Sequence, residues 1–245
     1  MLSRLRHWSQ HALPRLPAAL PSACALCGRH DDEALCLECH AQFFGQCPHR
    51  CVRCALPLPA GTATVCGACL KQPPAFDETI VAADYAAPVD QLVLGLKFGG
   101  RLELAPLLAQ MLKDAALRMP PDALPALLTA VPLGPQRLAE RGFNQALELA
   151  KPLSRALDIQ MDAQLVVRTH DTRAQSLLHP EERHKNVRNA FLVAGNAIDR
   201  VRGRHVGVVD DVMTTGETLN ELAATLKRFG AARVTNFVFA RTVQK

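Results

Sequence analysis

Four C-x-x-C pairs between residues 24 and 69 constrain the fold of this 245-residue chain more than any other feature of its sequence. A C-x-x-C pair places two sulfurs on one tight turn, and two such turns complete the tetrahedral thiolate shell of a zinc ion. A single pair could be a redox dithiol, whereas four closely spaced pairs favour zinc. The sequence therefore predicts two structural zinc sites, with the ligands Cys24, Cys27, Cys36, Cys39, Cys51, Cys54, Cys66 and Cys69.

The order of the pairs favours a sequential arrangement, in which the first two pairs bind one ion and the last two bind the other. The spacing is also compatible with an interleaved arrangement. Cys47 is left over, and it is either a small buried or semi-exposed thiol or a replacement ligand. Because so short a segment cannot bury a sufficient apolar core, the metal must supply its folding free energy. We expect the module to act as a scaffold, with nucleic-acid or partner binding as the alternative.

The chain divides into an N-terminal extension over residues 1–23, a zinc-binding double ribbon over 24–72 and a larger domain over 76–245. Three prolines break every apolar run of the extension, so no secretory signal is predicted. No stretch approaches the ~20 apolar residues of a transmembrane segment. These features, with cysteines spaced for metal, predict a cytoplasmic protein. A peripheral position at the inner face of the membrane is the alternative.

No cysteine follows Cys69, so the larger domain contains none. Apolar residues make up 49% of the whole chain, which is enough for a buried core. Short apolar runs alternate along it with segments of helical periodicity. Strands are predicted over residues 79–85, 127–133, 165–168, 190–193, 206–209 and 234–240. Helices are predicted over 89–98, 102–117, 144–157 (interrupted or re-entered at Pro152) and 218–229. This alternation predicts an α/β fold with a mostly parallel sheet flanked by helices.

The most informative string is VVDDVMTTGETL, over residues 208–219, where a buried strand leads into two carboxylates and a Thr-rich loop that opens a helix. Ligands of α/β sheets bind at the carboxyl ends of strands, and helix N-termini with free loop amides bind phosphate. Carboxylates repel phosphate but accept hydrogen bonds from a diol. The string therefore predicts a ribose 5-phosphate site, formed by Asp210, Asp211, Val212, Met213, Thr214, Thr215, Gly216, Glu217 and Thr218.

This string resembles the motif by which type I phosphoribosyltransferases bind 5-phosphoribosyl 1-pyrophosphate (PRPP). The cysteine module, LKF, RGFNQ and VVDDVMTTGETL, in that order, are similar to the ComF family of competence-associated proteins. The resemblance implies a phosphoribosyltransferase-like sheet in which Asp210 and Asp211 hold the ribose hydroxyls and residues 214–218 wrap the 5-phosphate. Asp210 or Asp211 would also act electrostatically on the oxocarbenium-like centre. Mg²⁺ on the pyrophosphate is implied as well.

Three further segments match patterns of this family. Lys97 ends an apolar helix and is interpreted as a pyrophosphate contact, although lysines are common at helix C-termini. The loop after the strand over 127–133 is interpreted as the pyrophosphate or substrate loop, through Pro132, Arg137, Arg141 and Asn144. The basic stretch over 168–188, which includes Arg183, is interpreted as a loop that closes over the site; its alternative is a solvated helix face.

Two functions follow from these interpretations. The first is transfer of a phosphoribosyl group from PRPP to an unknown acceptor, with release of pyrophosphate, in connection with DNA uptake and natural transformation. The second is a non-enzymatic assembly factor of the competence machinery that binds a nucleotide or single-stranded DNA and docks to a helicase or channel partner. Aromatic residues make up only 4% of the chain, which argues against a large base-stacking surface.

Overall fold

The computed structural model of the protein describes residues 22–46, 48–61, 63–120, 123–169 and 190–243. Cys47 and the predicted closing-loop residue Arg183 lie outside the described residues. The strands are β1 (Ser22–Ala23), β2 (His30–Asp31), β3 (Glu78–Asp84), β4 (Leu127–Ala130), β5 (Gln160–Met161), β6 (Val166–Arg168), β7 (Phe191–Val193), β8 (His205–Met213) and β9 (Arg233–Arg241). The helices are α1 (Leu37–Phe43), α2 (Gly67–Lys71), α3 (Asp90–Lys97), α4 (Leu104–Ala116), α5 (Pro135–Arg141), α6 (Gln145–Leu157), α7 (Ile198–Val201) and α8 (Glu217–Arg228), with a 3₁₀ turn at Gly195–Ala197 before α7.

The cysteine segment forms two small units around its cysteine pairs. In the first, β1 and β2 pair antiparallel and α1 follows, beginning directly after Cys36. In the second, Arg50 and Pro57 form an isolated antiparallel bridge, and α2 begins directly after Cys66. Each unit therefore brings one C-x-x-C turn against a second pair located at the start of a short helix. This arrangement is that of two zinc ribbons in series.

A five-stranded parallel sheet in the order β3-β9-β8-β4-β5 organises the larger domain. The two central strands, β8 and β9, are buried along almost their whole length. Strands of a parallel sheet that are covered on both faces are mostly apolar, and β9 fits this rule from Phe237 to Ala240, while Thr235 and Asn236 are buried polar residues before this run. The predicted α/β fold with a parallel sheet is confirmed. β6 and β7 form a separate antiparallel pair.

Amphipathic helices cover the sheet. α4 and α6 pack against each other, α4 also contacts β3 and β9, and α6 contacts β8 and β4. Each presents a stripe of apolar side chains at helical spacing, such as Leu108 with Leu112 and Leu149 with Leu153, all fully buried. None of the helices in the described part of the chain has both the length and the hydrophobicity needed to traverse a lipid bilayer.

The ribbon segment packs against the sheet domain through contacts with both ends of β3 and with β9. Arg50 forms an ion pair of 2.8 Å with Asp84, the last residue of β3. The Thr79 amide donates to the Val52 carbonyl at 3.0 Å. The buried ring of Phe44 lies 6.2 Å from that of Phe239. These contacts join the two parts through both their backbones and their apolar side chains.

The predicted interruption of the helix at Pro152 is wrong, because α6 runs continuously from Gln145 to Leu157. Proline lacks the amide that would donate to the Glu148 carbonyl four residues earlier. The helix nevertheless continues because Leu149 and Leu153, on either side of the proline, are fully buried under the sheet domain. Burial of this apolar face offsets the lost hydrogen bond.

Two boundaries near the predicted site also differ from the sequence interpretation. The strand predicted over 127–133 ends at Ala130, and the helix α5 follows where a loop was expected. α5 begins with Pro135 and ends at Arg141, and the following residue, Gly142, has a φ of 80° that suits glycine. The strand predicted over 206–209 continues to Met213, because its ladder with β9 runs on to the end of both strands. The two acids therefore lie within β8.

Candidate PRPP site and metal centres

The eight paired cysteines form two compact clusters. One contains Cys24, Cys27, Cys36 and Cys39 and the other Cys51, Cys54, Cys66 and Cys69, with the sulfurs of each set within 4.8 Å of one another. The Cys27 and Cys36 sulfurs are 3.8 Å apart, and those of Cys54 and Cys66 are 3.6 Å apart. Tetrahedral zinc with bonds of about 2.3 Å separates its sulfurs by about 3.8 Å. Disulfide sulfurs lie only about 2.05 Å apart. Both sets fit structural zinc, and the sequential arrangement is confirmed.

Backbone amides in each set favour a thiolate at the first cysteine. The Cys36 amide donates to Cys24 Sγ at 3.5 Å, and the Cys66 amide donates to Cys51 Sγ at 3.3 Å. Burial raises the pKa of both thiols, but such amide donors outweigh it and lower the pKa to about 6 at Cys24 and about 7 at Cys51. Burial, with the neighbouring sulfurs, raises the pKa of Cys39 to about 12. A divalent cation is what allows all four thiolates of a set to coexist.

The loop after β8 forms a small cup. Residues 212–219 and Asp210 enclose a volume of about 50 Å³, which is room for about four water-sized atoms. Gly216, with φ of 87°, turns the chain into α8, and a Cβ at this position would collide with the Met213 side chain. The cup therefore combines a tight glycine turn, threonine hydroxyls and a helix N-terminus, which together suit a tetrahedral anion.

The two acids at the edge of the cup have different surroundings. Asp210 is half-buried, whereas Asp211 is 3% exposed. Asp211 Oδ2 lies 3.3 Å from Lys97 Nζ, and the Asp211 amide donates to Asp210 Oδ1 at 2.9 Å. Burial and the Asp211 charge raise the pKa of Asp210 well above its usual range, and the Lys97 charge opposes this. The oxygens of the two side chains can accept hydrogen bonds from the hydroxyls of a diol.

A wider cleft of about 790 Å³ opens beside the cup and shares Asp210, Val212, Thr214 and Thr218 with it. Lys97 reaches the cleft from the end of α3. The α5 residues Arg137 and Arg141, one helical turn apart, also line it. The structure therefore brings together the predicted acids, the predicted threonine loop and three predicted basic residues. Val131, Leu133, Gly100, Phe98, Phe143, Glu140, Gln145, Arg168 and Asp211 complete the lining.

The Arg141 guanidinium is held in the cleft by two neighbours. Its Cζ lies 5.5 Å from the centre of the Phe98 ring, and its Nη1 donates to Gln145 Oε1. Burial lowers the pKa of Arg141, and the Asp211 charge opposes this. Arginine remains charged under such shifts. The cleft therefore offers a fixed cation together with the ring of Phe98, which is 71% exposed.

Two predicted residues lie beside the cleft rather than in its lining. Pro132 continues the backbone between two lining residues. Asn144 caps α6, because its Oδ1 accepts from the Ala146 amide at 3.1 Å while its Nδ2 donates to the Val131 carbonyl at 3.0 Å. Asn144 thus ties the end of β4 to the start of α6. Phe98 is a cleft residue that the sequence analysis did not predict, although its position directly after Lys97 was a usable signal.

Arg241, at the end of β9, was not predicted as a site residue either. Its side chain is 4% exposed. Its Nε donates to the Cys54 carbonyl at 2.9 Å, and its Nη1 donates to the carbonyls of Met213 (3.0 Å) and Thr214. Arg241 therefore connects the second cysteine set to the loop that forms the cup.

The parallel sheet, the cup beside an acid pair and the two four-cysteine clusters define a phosphoribosyltransferase-fold protein with an N-terminal double zinc ribbon. Two family comparisons agree with this class. The phosphoribosyl transferase domain family matches residues 144–245, and the double zinc ribbon domain family matches residues 16–70.

Two relatives extend the likeness over nearly the whole chain. The DNA utilization protein YhgH of Escherichia coli K12 is 37% identical over 94% of this chain and 96% of its own length. Competence protein F of Haemophilus influenzae is 35% identical over 84% of this chain and 90% of its own. The chain belongs to their family, the ComF family, which confirms the predicted resemblance.

Among solved structures, the glutamine PRPP amidotransferase of B. subtilis aligns with a TM-score of 0.35 and 18% identity, over 54% of this chain and 25% of that one. So weak a likeness carries no argument. The fold assignment rests on the sheet itself and on the matching domain families.

Proposed function

We propose that the protein binds PRPP, with the 5-phosphate in the cup of residues 212–219 and the ribose diol against Asp210 and Asp211. The pyrophosphate then extends into the cleft towards Lys97 and Arg141. The observation that carries this proposal is the continuity of the two cavities, which share Asp210, Thr214 and Thr218. A ligand with a phosphate at one end, a diol in the middle and a polyanion at the other end matches this sequence of surfaces.

Mg²⁺ fits this arrangement as the counterion of the pyrophosphate. It prefers oxygen ligands and binds through one or two carboxylates together with substrate phosphates. Asp210, which lines both the cup and the cleft, and Asp211, which lines the cleft, provide carboxylate oxygens. When bound, the ion would neutralise part of the charge that develops on the departing pyrophosphate. The chain's own cations, Lys97, Arg137 and Arg141, would contribute to the same neutralisation.

We further propose phosphoribosyl transfer as the reaction. The bond from ribose C1 to the pyrophosphate oxygen breaks and its electron pair leaves with pyrophosphate, while a nitrogen nucleophile forms a bond to C1 and loses a proton. The residues act by positioning and by electrostatics rather than by a covalent intermediate. Asp210 and Asp211 hold the ribose and stabilise the positive charge at C1, and the basic side chains of the cleft stabilise the leaving group.

A second candidate function is a non-enzymatic role in handling DNA. The printed names of the relatives concern DNA utilization and competence. In addition, Leu37 on α1 and Leu70 on α2 are 83% and 64% exposed, so the ribbons present apolar side chains that could contact a partner protein. In this second role the cleft would bind a nucleotide or single-stranded DNA, and the ribbons would dock to a helicase or channel component.

One set of experiments separates these functions. Calorimetry with PRPP and Mg²⁺ on the zinc-replete protein should give binding in the micromolar range, and Asp211→Asn should weaken it. Incubation with PRPP and a pool of bases and amines, followed by a pyrophosphate assay, should show release that depends on an acceptor. The proposal of PRPP binding fails if calorimetry detects none. Tight, salt-sensitive binding of single-stranded DNA without pyrophosphate release would instead support the second candidate.

A further inference from the structure

A buried arginine lies between the second cysteine set and the ligand loop. Arg241 is enclosed by four carbonyl oxygens, those of Cys54, Met213, Thr214 and Thr242. Cys54 is itself a member of the second cysteine set, and Met213 and Thr214 begin the loop of the cup. One side chain therefore contacts the backbone of a metal ligand and the backbone of the phosphate cup at the same time.

The hydrogen bonds of Arg241 fix the orientation of two peptide groups. In a trans peptide the carbonyl and the following amide lie in one plane and point in opposite directions. The carbonyls of Met213 and Thr214 point at Arg241, so the amides of Thr214 and Thr215 point away from it. Residues 213–217 separate the cup from a second cleft of about 670 Å³, which is lined by Cys54, Cys69 and Arg241. The hydrogen bonds of Arg241 therefore orient the amide N–H groups of Thr214 and Thr215 towards the side of the loop opposite Arg241.

The charge of Arg241 is compensated by the second cysteine set. Arg241 is 4% exposed and its Nε donates to the Cys54 carbonyl at 2.9 Å, so the buried guanidinium lies next to a member of this set. Four thiolates around one Zn²⁺ ion carry a net charge of −2, so the filled site keeps a negative charge beside the guanidinium. A buried cation without this compensation is costly.

We propose that Arg241 is a positioning residue through which the metal-filled second cysteine set holds residues 214–218 in their phosphate-binding conformation. The inference rests on the proposed function for the identity of the ligand. Within the part of the chain that the structure describes, the hydrogen bonds of Arg241 reach the second cysteine set and not the first, so we expect the two metal sites to differ in their effect on ligand binding.

The first test compares Arg241→Met with Arg233→Met, its matched control at the other end of β9, where Arg233 pairs with Glu78 at 2.6 Å. Calorimetry with PRPP and Mg²⁺ should show affinity reduced at least about 10-fold for Arg241→Met and changed by no more than about twofold for Arg233→Met. Both proteins should retain two zinc ions by native mass spectrometry. Equal affinities in the two variants would overturn the proposal. If Arg241→Met does not fold, Arg241→Lys replaces it, since lysine keeps the charge but not the fork of donors.

The second test observes the metal sites directly. Full-length protein loaded with ¹¹³Cd should give two NMR resonances, and Cys27→His, which changes an exposed ligand of the first set, assigns them. Addition of PRPP with Mg²⁺ should shift the second-set resonance and leave the first unchanged. In Arg241→Met this shift should disappear, which a purely structural role of the arginine does not predict. If the second-set resonance of the unaltered protein does not shift when PRPP and Mg²⁺ are added, the coupling is contradicted.

A third measurement separates this inference from the proposed function. Hydrogen exchange at the amides of residues 214–218, measured without ligand, should be at least about 10-fold faster in Arg241→Met than in Arg233→Met. If the unaltered protein does not bind PRPP, the proposed function fails while the exchange comparison still tests the coupling. If it binds PRPP and the exchange rates of the two variants are equal, only the coupling fails.

Discussion

Lys97 Nζ lies 3.3 Å from Asp211 Oδ2 and joins the end of α3 to the acid pair of β8. The Asp211 side chain is 4% exposed and the Lys97 side chain 28%, so the pair is largely removed from water. An arriving pyrophosphate would compete with Asp211 for this ammonium group. Lys97 therefore both balances the charge of Asp211 and provides a cation for an anionic ligand of the cleft.

Replacement of Lys97 should affect both stability and binding. Lys97→Met leaves the buried Asp211 carboxylate without its cation, so we expect the free energy of unfolding to fall by about 1–3 kcal/mol. This loss is smaller than that for a fully buried ion pair because the lysine is partly exposed. Affinity for PRPP should fall about 10-fold or more. Urea denaturation and calorimetry measure the two effects. Lys113→Met, in the last turn of α4, is the control and should change neither; a stable Lys97→Met with unaltered affinity would exclude the proposed contact.

Asp210→Asn should stabilise the protein at neutral pH while it weakens PRPP binding. The pKa of Asp210 is raised in the folded state, so this carboxyl destabilises the fold once pH exceeds its unfolded value of about 3.9. The gain in the free energy of unfolding from Asp210→Asn should therefore be absent near pH 4, grow as the pH rises and reach about 1 kcal/mol. Denaturation curves from pH 4 to neutrality check this sign. Asp32→Asn, on the exposed surface of the ribbon, should show no such trend, and a gain confined to low pH would refute the assignment.

Predictions from the sequence succeeded where neighbouring residues determine the structure. Cys24 and Cys27 share one turn, so their common role as ligands follows from spacing alone. The loop predicted to bind phosphate likewise consists of consecutive residues, 212–219, and these form a cup; that the cup binds phosphate stays a prediction. The strand boundary near Asp210 was missed because the apolar pattern ends at Val209, whereas the ladder with β9 continues.

Contacts between distant segments could not be predicted in this way. Arg241 bonds to the carbonyl of Cys54, 187 residues earlier, and no periodicity or motif marks either residue for that contact. The α5 helix is a different case, because Pro135 at its start and Gly142 after its end are ordinary helix signals. These two signals were missed because the segment was interpreted as a loop that follows a strand. The fold of a family member is therefore easier to anticipate than the contacts that position its site.

The glycine of the cup gives a third prediction. Gly216→Ala places a Cβ against the Met213 side chain at a φ of 87°, and it should lower the free energy of unfolding by about 1–3 kcal/mol. It should also weaken PRPP binding, because alanine disfavours a φ of 87° and the loop must change its backbone conformation to relieve that strain. Gly203→Ala is the matched control, since Gly203 has a φ of 70° but open space where its Cβ would lie. We expect this control to lose stability through backbone strain and to keep its affinity; equal losses of affinity would contradict the cup.

The cysteine clusters predict the metal content of the protein and of its variants. Native mass spectrometry should find two zinc ions per chain, and Cys36→Ala, which removes a buried ligand of the first set, should retain one. Because the ribbons have little apolar core, a filled structural site contributes about 10 kcal/mol or more to their folding, and the first ribbon of this variant should be rapidly digested by protease. Cys47→Ala is the matched control, since Cys47 is the one cysteine outside the four C-x-x-C pairs. It should retain both ions, and a loss of zinc from this control would show that the ligand sets differ from those in the structure.

Acid should release the metal from the unaltered protein, because binding requires four deprotonated thiols in each set. The released zinc can be measured with a chromogenic chelator.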